Sequence, residues 1–294
     1  MGRGWQEIYL IGPSLDFTYL RRSEWICLAY FAYIPILSFI INVPASRRLR
    51  LLALNGATAS GILLLPAAMA FAPRLFISVV RDWLPAPLIL LAYHEAGLLT
   101  LPRRDQFFEK AFQRLDELLF RLPLLRVLHS NCTLPDWVDA VPEFSYLQCY
   151  VIVPSGIAVL YFAHRGRLAD QYWSVVLPAV FVAYGLTPLF PAQPPRKLEA
   201  DSSATGHSSR LRRLNVWIHD HASIKVKTFP SGHVAGAVAA TLALMRLMPA
   251  AGVCYLAVAV GIMLGSVRGR YHYFLDAVAG IVVAFAAYLA GTPV

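Results

Sequence analysis

The sequence carries little charge for its length. Only 15% of its 294 residues are charged, whereas soluble globular domains carry about 25%. Its hydrophobic share of 57% excludes an intrinsically disordered chain, which combines low hydrophobicity with high charge. The composition therefore excludes a soluble domain and indicates an integral membrane protein.

Cysteine and acidic residues are also scarce. The four cysteines form no Cys-x-x-Cys pair, so we expect no disulfide framework, zinc site or redox motif. Lys and Arg number 26 against 17 Asp and Glu, which gives a formal net charge of +9. Such a balance suits a nucleic acid, a membrane surface or a phosphorylated substrate. The hydrophobicity argues against nucleic acid as a partner.

Apolar runs of roughly membrane-spanning length, about twenty residues each, occupy most of the chain. We count eight, at residues 25–41, 51–72, 77–101, 146–163, 172–190, 234–247, 253–265 and 274–290. They predict an all-α, polytopic membrane bundle of about eight transmembrane helices. The third run contains Asp82, His94 and Glu95, which are costly in lipid and should face protein or water.

Two segments between the runs are polar. In residues 103–129 the apolar side chains fall on one helical face. The charged side chains fall on the opposite face, and they are Glu109, Lys110, Arg114, Asp116, Glu117 and Arg121. This pattern predicts an amphipathic helix in the membrane interface, and a solvated helix packed on the protein is the alternative. Residues 191–229 are rich in Ser and Arg and too long for a mere connector. This length predicts a functional or mobile polar loop.

Residues 230–233, Pro-Ser-Gly-His, stand where this loop enters an apolar helix, and we call them the second motif. Proline suits a helix start and Ser231 can cap it, while Gly232 lets a ligand approach the backbone. Free N–H groups and the positive end of the helix dipole would then face a phosphate, with His233 in reach of a leaving oxygen. The alternative is an ordinary helix cap.

A third motif, residues 268–276, contains His272 and Asp276 four positions apart. On one face of a helix start, the carboxylate can reach an imidazole nitrogen and so orient and activate the histidine. Asp276 is costly in an apolar segment unless it is paired or functional. The alternative is a helix-stabilising pair. His219 and His221 lie in a polar connector, where a solvated side chain is the default, and no third metal ligand is evident beside them.

The first motif, residues 191–197, ends the fifth run with Pro-Pro-Arg-Lys. It brings the positive charges of Arg196 and Lys197 to the edge of the membrane, where a guanidinium can clamp phosphate oxygens. A boundary arginine is also common for snorkelling and orientation.

In this order, the three motifs resemble the type 2 phosphatidic acid phosphatase superfamily, which includes lipid phosphate phosphatases and vanadium haloperoxidases. The forms Pro-Pro-Arg and Arg-Tyr-His-Tyr resemble its branch related to inositol phosphorylceramide synthases. The resemblance implies a catalytic membrane domain over residues 77–294, preceded by an N-terminal segment with a membrane hairpin over residues 1–76.

The resemblance also implies metal-independent phosphoryl transfer without a cofactor. His272 would be the nucleophile, Asp276 its orienting carboxylate and His233 the general acid. The residues that would hold the phosphate are Arg196, Lys197, Ser231, the Gly232 N–H, and Arg270 or Arg268. Leu189 and Lys197 stand where the superfamily's first motif has lysine and proline, and Ser266 stands where its third motif has arginine. Arg270 is therefore the first candidate for that arginine's role and Arg268 the second.

These observations predict a membrane phosphatase that hydrolyses a lipid phosphate or lipid pyrophosphate through a phosphohistidine. One alternative is headgroup phosphotransfer of the inositol phosphorylceramide synthase type. Another is a transporter or scaffold whose histidines and Asp276 form a proton path. We expect a multi-pass protein of the plasma or inner membrane. The distribution of Lys and Arg, taken literally, places the motifs in the cytoplasm, whereas the resemblance implies the exoplasmic face, which we adopt.

Overall fold

The computed structural model describes residues 20–69, 71–101, 107–126, 136–198, 210–222, 224 and 229–292. These residues are almost entirely helical and contain no strand. The helices are α1 Arg22–Ile40, α2 Ala45–Ala68, α3 Arg74–Trp83, α4 Pro85–Leu99, α5 Phe107–Leu119, α6 Pro123–Arg126, α7 Asp136–Leu147, α8 Ile152–Phe162, α9 Ala169–Leu186, α10 Pro195–Leu198, α11 Arg210–Ala222, α12 Gly232–Leu247, α13 Pro249–Arg268 and α14 Phe274–Gly291.

Six helical segments within these described ranges are long and apolar enough to cross a membrane. They are Arg22–Ile40, Ala45–Ala68, Arg74–Leu99, Gly166–Leu189, Pro249–Arg268 and Phe274–Gly291. A seventh span is possible if Ala140–Tyr150 and Ile152–Phe162, which meet at a bend of 70°, cross together. The chain is thus a polytopic helical membrane protein, with six or seven candidate spans rather than the expected eight.

Helix α12 accounts for part of the difference in the count. Its 16 residues rise about 24 Å at 1.5 Å per residue, which is less than the roughly 30 Å of a bilayer core. It lies at the centre of the bundle, in contact with α8, α9, α13 and α14. Its buried residues are mostly alanine and glycine, and small side chains let membrane helices approach closely. The N-terminus of this central helix is the second motif.

The N-terminal hairpin is bound to the rest of the bundle through charged side chains. Helix α1 packs on α2, α4 and α9. The Arg81 guanidinium donates two hydrogen bonds to the Glu24 carboxylate, at 2.6 and 2.7 Å, and both side chains are only 5% exposed. Arg21 forms a second ion pair with Asp82. Since both pairs join the start of α1 to α3, the hairpin is fixed to the segment that follows it.

The polar residues of the third apolar run divide between protein partners and the surface. Buried Asp82 accepts a 2.6 Å hydrogen bond from Tyr161 Oη. Buried Glu95 accepts one of 2.8 Å from Asn55 Nδ2. His94 is exposed. The two carboxylates therefore face protein, as expected from the cost of exposing them to lipid.

The predicted amphipathic segment forms α5 and α6, and residues 103–106 and 127–129 lie outside the described ranges. Helix α5 buries a mixed face of Glu109, Phe112 and Asp116, while Leu115 and Leu122 are exposed. The expectation that Glu109 and Asp116 belong to the polar face of an amphipathic helix was wrong. Both are buried, and each accepts a backbone hydrogen bond from a motif: Glu109 from the first and Asp116 from the third.

Candidate active site

The second motif forms the start of α12. Ser231 is the N-cap, and its Oγ accepts a hydrogen bond from the Val234 N–H at 3.4 Å. The Ser231 N–H donates to the Asp276 backbone oxygen at 3.1 Å, which joins the second motif to the third. Gly232 is the first residue of the helix, and a Cβ there would collide with the Tyr184 ring. A larger residue at this position would require the Tyr184 ring to move.

His233, the next residue, is surrounded by aromatic rings. The centroids of Tyr93, Tyr146 and Tyr150 lie 6.5, 5.9 and 5.6 Å from that of its imidazole. The His272 ring lies 6.0 Å away and is nearly perpendicular, at 84°. The structure therefore brings together two histidines that are 39 positions apart in the sequence.

His272 lies just before α14 and not on it, which corrects the expectation of two residues on one helical face. Its N–H donates to the Ser266 oxygen at 3.0 Å. Asp276 occupies the first turn of α14, and its Oδ2 accepts the Tyr273 N–H at 3.0 Å. The same Oδ2 lies 3.5 Å from His272 Nδ1, and the Asp276 side chain is fully buried. Nδ1 of His272 therefore faces the carboxylate, and Nε2 is its other ring nitrogen.

The first motif is joined to the third through the backbone, because the Arg196 N–H donates to the Arg270 oxygen at 3.1 Å. The Arg196 guanidinium lies 5.7 Å from the centroid of the Tyr271 ring. Arg270 is half-buried with a φ of 59°, and Arg268 ends α13. The predicted arginines therefore lie around the third motif, while the side chain of Lys197 lies outside the described part of the chain.

A partly open cavity lies at this end of the bundle. Its lining residues are Tyr93, Tyr146, Tyr184, Thr187, His219, Ile224, Pro230, Gly232, His233 and His272. Both predicted catalytic histidines thus open into one space, whereas Arg196, Arg268 and Arg270 are not part of its lining. Within the described ranges, no three His, Cys, Asp or Glu residues are grouped as a metal site would need.

Two buried carboxylates on α5 connect the first and third motifs. Glu109 Oε1 accepts the Gln193 N–H at 3.0 Å. Asp116 accepts the Phe274 N–H, at 3.1 and 3.2 Å from its two oxygens. Burial raises the pKa of Asp116 to about 6, while the bond from Phe274 and the charge of Arg270 partly oppose this rise. The spacing of residues 109, 112 and 116 places them on one helical face, and this is the feature of the sequence that could have indicated their common burial.

A third acidic residue, Glu143 on α7, connects the third motif to the polar loop. Its Oε2 accepts hydrogen bonds from Tyr271 Oη at 2.9 Å and from Asn215 Nδ2 at 2.7 Å. Burial and the neighbouring Glu143 carboxylate raise the pKa of Tyr271, whose ring stacks on Tyr146 at 4.4 Å. Asn215 belongs to α11, so part of the loop predicted as mobile is a helix docked on the bundle. Residues 199–209 lie outside the described ranges.

Comparison with protein families agrees with this arrangement. Residues 111–290, well over half of the chain, match the model of the PAP2 superfamily. The match starts within α5 and includes all three motifs, but not the N-terminal hairpin. Comparisons with curated proteins and with solved structures give no significant match. The match over most of the chain does not test the branch inferred from the motifs, but it confirms the superfamily: the protein belongs to the PAP2 superfamily, that of type 2 phosphatidic acid phosphatases.

Proposed function

We propose that the protein hydrolyses a lipid phosphate through a phosphohistidine formed on His272. The observation that carries this proposal is the pair of imidazoles, His233 and His272, 6.0 Å apart on one cavity at the N-terminus of α12. Membership of the PAP2 superfamily indicates an enzyme of the phosphatase or phosphotransferase type. It therefore favours an enzyme over the transporter or scaffold alternative.

In the first step, Nε2 of His272 attacks phosphorus opposite the ester oxygen. A nitrogen–phosphorus bond forms as the bond from phosphorus to the lipid oxygen breaks. Protonated His233 gives its proton to that oxygen, which leaves as the lipid alcohol. Asp276 keeps the Nδ1 proton of His272 in place and stabilises the positive imidazole. The observed 3.5 Å between these groups is long for a hydrogen bond, and such contacts often tighten when substrate binds.

In the second step, water attacks the phosphohistidine and gives a proton to His233, which is now neutral. The nitrogen–phosphorus bond breaks and inorganic phosphate is released. Both histidines then return to their starting protonation states, so the cycle balances without a further reactant.

The negative charge on phosphorus would be met by the start of α12. The first N–H groups of a helix have no partner within it, and they carry the positive end of its dipole. Gly232 lines the cavity, and its N–H directly precedes His233 in the chain. Such preorganised donors are among the largest contributions to phosphoryl-transfer catalysis. Arg196, packed against the Tyr271 ring, would add charge from the edge of the cavity.

A lipid substrate is supported by the position of the cavity in a membrane bundle. The site lies where α12, α13 and α14 begin or end, so a headgroup at the bilayer surface can reach it while its tail stays in lipid. The three tyrosines of the cavity lining offer an apolar wall to the carbon atoms next to the phosphate.

Headgroup transfer to a lipid alcohol is a second candidate, and one observation favours it. His219 of helix α11 and Ile224 line the cavity, so the polar loop contributes to its wall. Transfer and hydrolysis share the phosphohistidine and differ only in whether an alcohol or water attacks it. Excluding water would favour the alcohol.

The test is turnover of a panel of phosphorus-labelled lipid phosphates by purified protein, with free phosphate and labelled lipid products measured together. Hydrolysis predicts free phosphate as the main product even when lipid alcohols are present. Label mainly in a new phosphodiester lipid would establish transfer instead. Acid-labile label on the protein, trapped by rapid quenching, would identify the phosphohistidine.

Variants make the assignment of roles testable. His272→Ala, His233→Ala and Asp276→Asn should each reduce turnover by at least about a thousandfold, since groups that act as one unit fail together. His164→Asn is the matched control, because His164 is exposed in the turn before α9, at the end opposite to the site. His272→Ala with near wild-type turnover would rule out this nucleophile.

A further inference from the structure

Helix α11 brings a third histidine into the cavity. His219 lies in the lining with His233 and His272, and its side chain is only 13% exposed. Its ring is nearly parallel to that of Tyr271, at an angle of 28° and a centroid distance of 6.0 Å. Because Tyr271 directly precedes the proposed nucleophile, His219 packs on the segment that carries the chemistry.

His219 also contacts Arg196. The Nη2 atom of Arg196 lies 3.4 Å from His219 Nδ1 and 2.8 Å from Asp220 Oδ1. A guanidinium can only donate hydrogen bonds, so His219 Nδ1 accepts. The hydrogen of the neutral imidazole is then on Nε2, which makes that atom a donor. Asp220 is 47% exposed, so its bond to Arg196 lies toward solvent while His219 lies toward the cavity.

We propose that His219 is a phosphate-binding residue of this site, whose Nε2–H donates to a phosphoryl oxygen of the substrate, and that Asp220 positions Arg196 beside it. This inference rests on the proposed function and adds to it a residue from outside the three motifs. It identifies α11 as a wall of the site. The ligand it implies is a phosphate monoester whose oxygens are bound from two sides, by the start of α12 and by α11.

The neighbouring histidine of α11 provides a matched control. His221 is exposed, its ring stacks on Trp217 at 4.9 Å, and its Nδ1 lies 2.8 Å from the Trp217 oxygen. His219→Phe and His221→Phe both keep an aromatic ring and both remove the imidazole nitrogens. His219→Gln places an amide N–H near the position of Nε2 and should restore part of the binding.

The experiment measures binding of orthovanadate, a phosphate analogue, to the purified full chain. Protection against thermal unfolding as a function of vanadate concentration gives an apparent Kd. The His219→Phe variant loses a hydrogen bond to a charged ligand, so it should bind vanadate roughly 10- to 100-fold more weakly than the wild type does. His221→Phe should bind as the wild type does, and His219→Gln should lie between. The KM for a lipid phosphate should rise with the Kd for vanadate.

The outcomes separate this inference from the proposed function. If the wild-type protein is not protected by vanadate at all, the phosphate site itself is wrong. If the wild type is protected and His219→Phe is protected equally, only the role of His219 is refuted. Should His219→Phe not fold, His219→Met also lacks an N–H donor and gives the same comparison. Equal weakening by the His219 and His221 variants would likewise refute the inference, because it would reflect a disturbance of α11.

Discussion

Replacing Asp116 with asparagine tests whether α5 holds a buried carboxylate against the start of α14. Asp116 is 3% exposed and accepts the Phe274 N–H with both oxygens. Asparagine has nearly the same shape and keeps one oxygen for this bond, but it cannot ionise. The variant therefore isolates the cost of the negative charge from the rest of the packing.

The magnitude follows from the pKa. Burial raises the pKa of Asp116 from 3.8 to about 6, so between these values the folded protein binds more protons than the unfolded one. Its stability must therefore fall as pH rises through this window. At about 1.4 kcal/mol per pH unit, the full loss is about 3 kcal/mol. We expect the wild type and Asp116→Asn to be similarly stable near pH 4, and the variant to be more stable by about 3 kcal/mol above pH 7.

The assay is thermal or denaturant unfolding of both proteins in detergent from pH 4 to pH 8. Other titrating groups cancel in the difference between the two curves. Glu117→Gln, an exposed neighbour on the same helix, should change stability little at any pH. A difference between wild type and Asp116→Asn that stays constant over the whole range would refute the reasoning, because it would mean that the carboxylate ionises normally.

Three further predictions concern the site and the bundle. Gly232→Ala should lower stability by about 1–3 kcal/mol and should also lower turnover, because the added Cβ collides with Tyr184. Gly56→Ala on α2, where the space around the residue is open, should lower neither. Arg81→Ala should destabilise the protein by about 3–5 kcal/mol, because it leaves the Glu24 charge buried without its ion-pair partner. Turnover per folded molecule should be unchanged. Thermal unfolding measures the first quantity and a specific-activity assay the second. Turnover should survive chelators and be inhibited by vanadate, because histidine and backbone N–H groups suffice to bind the phosphorus. Activity lost in chelator and regained with added metal would contradict this.

Much of the fold was predictable because a membrane allows few solutions. A chain crossing lipid must satisfy its own backbone hydrogen bonds, so each long apolar run had to be helical. The number of membrane spans was harder to predict from the sequence. The fourth run bends by 70° near residue 151, and the sixth forms a helix shorter than the bilayer core. Both features depend on neighbouring helices that shield the ends from lipid, and hydropathy along the sequence does not record such neighbours.

The residues of the site likewise divide into those that the sequence predicted and those that it did not. The second and third motifs were found because their residues are close in sequence and their order is specific. Asp116, Glu143 and His219 were not assigned to the site, because their partners lie 158, 128 and 23 positions away. A carboxylate on a helix surface and one that caps a distant helix look alike in sequence. Only the fold determines which of them meets a donor.

The way the motifs are held together also decides how variants of the site can be interpreted. The second motif binds the third through the Ser231 N–H and the Asp276 backbone oxygen, and the first binds the third through the Arg196 N–H and the Arg270 oxygen. These bonds use backbone atoms, which side-chain substitutions leave in place. His272→Ala and Asp276→Asn should therefore preserve the cavity while removing the chemistry. Loss of turnover in these variants, with the thermal stability of the protein without vanadate retained, would be a chemical effect and not a collapse of the site.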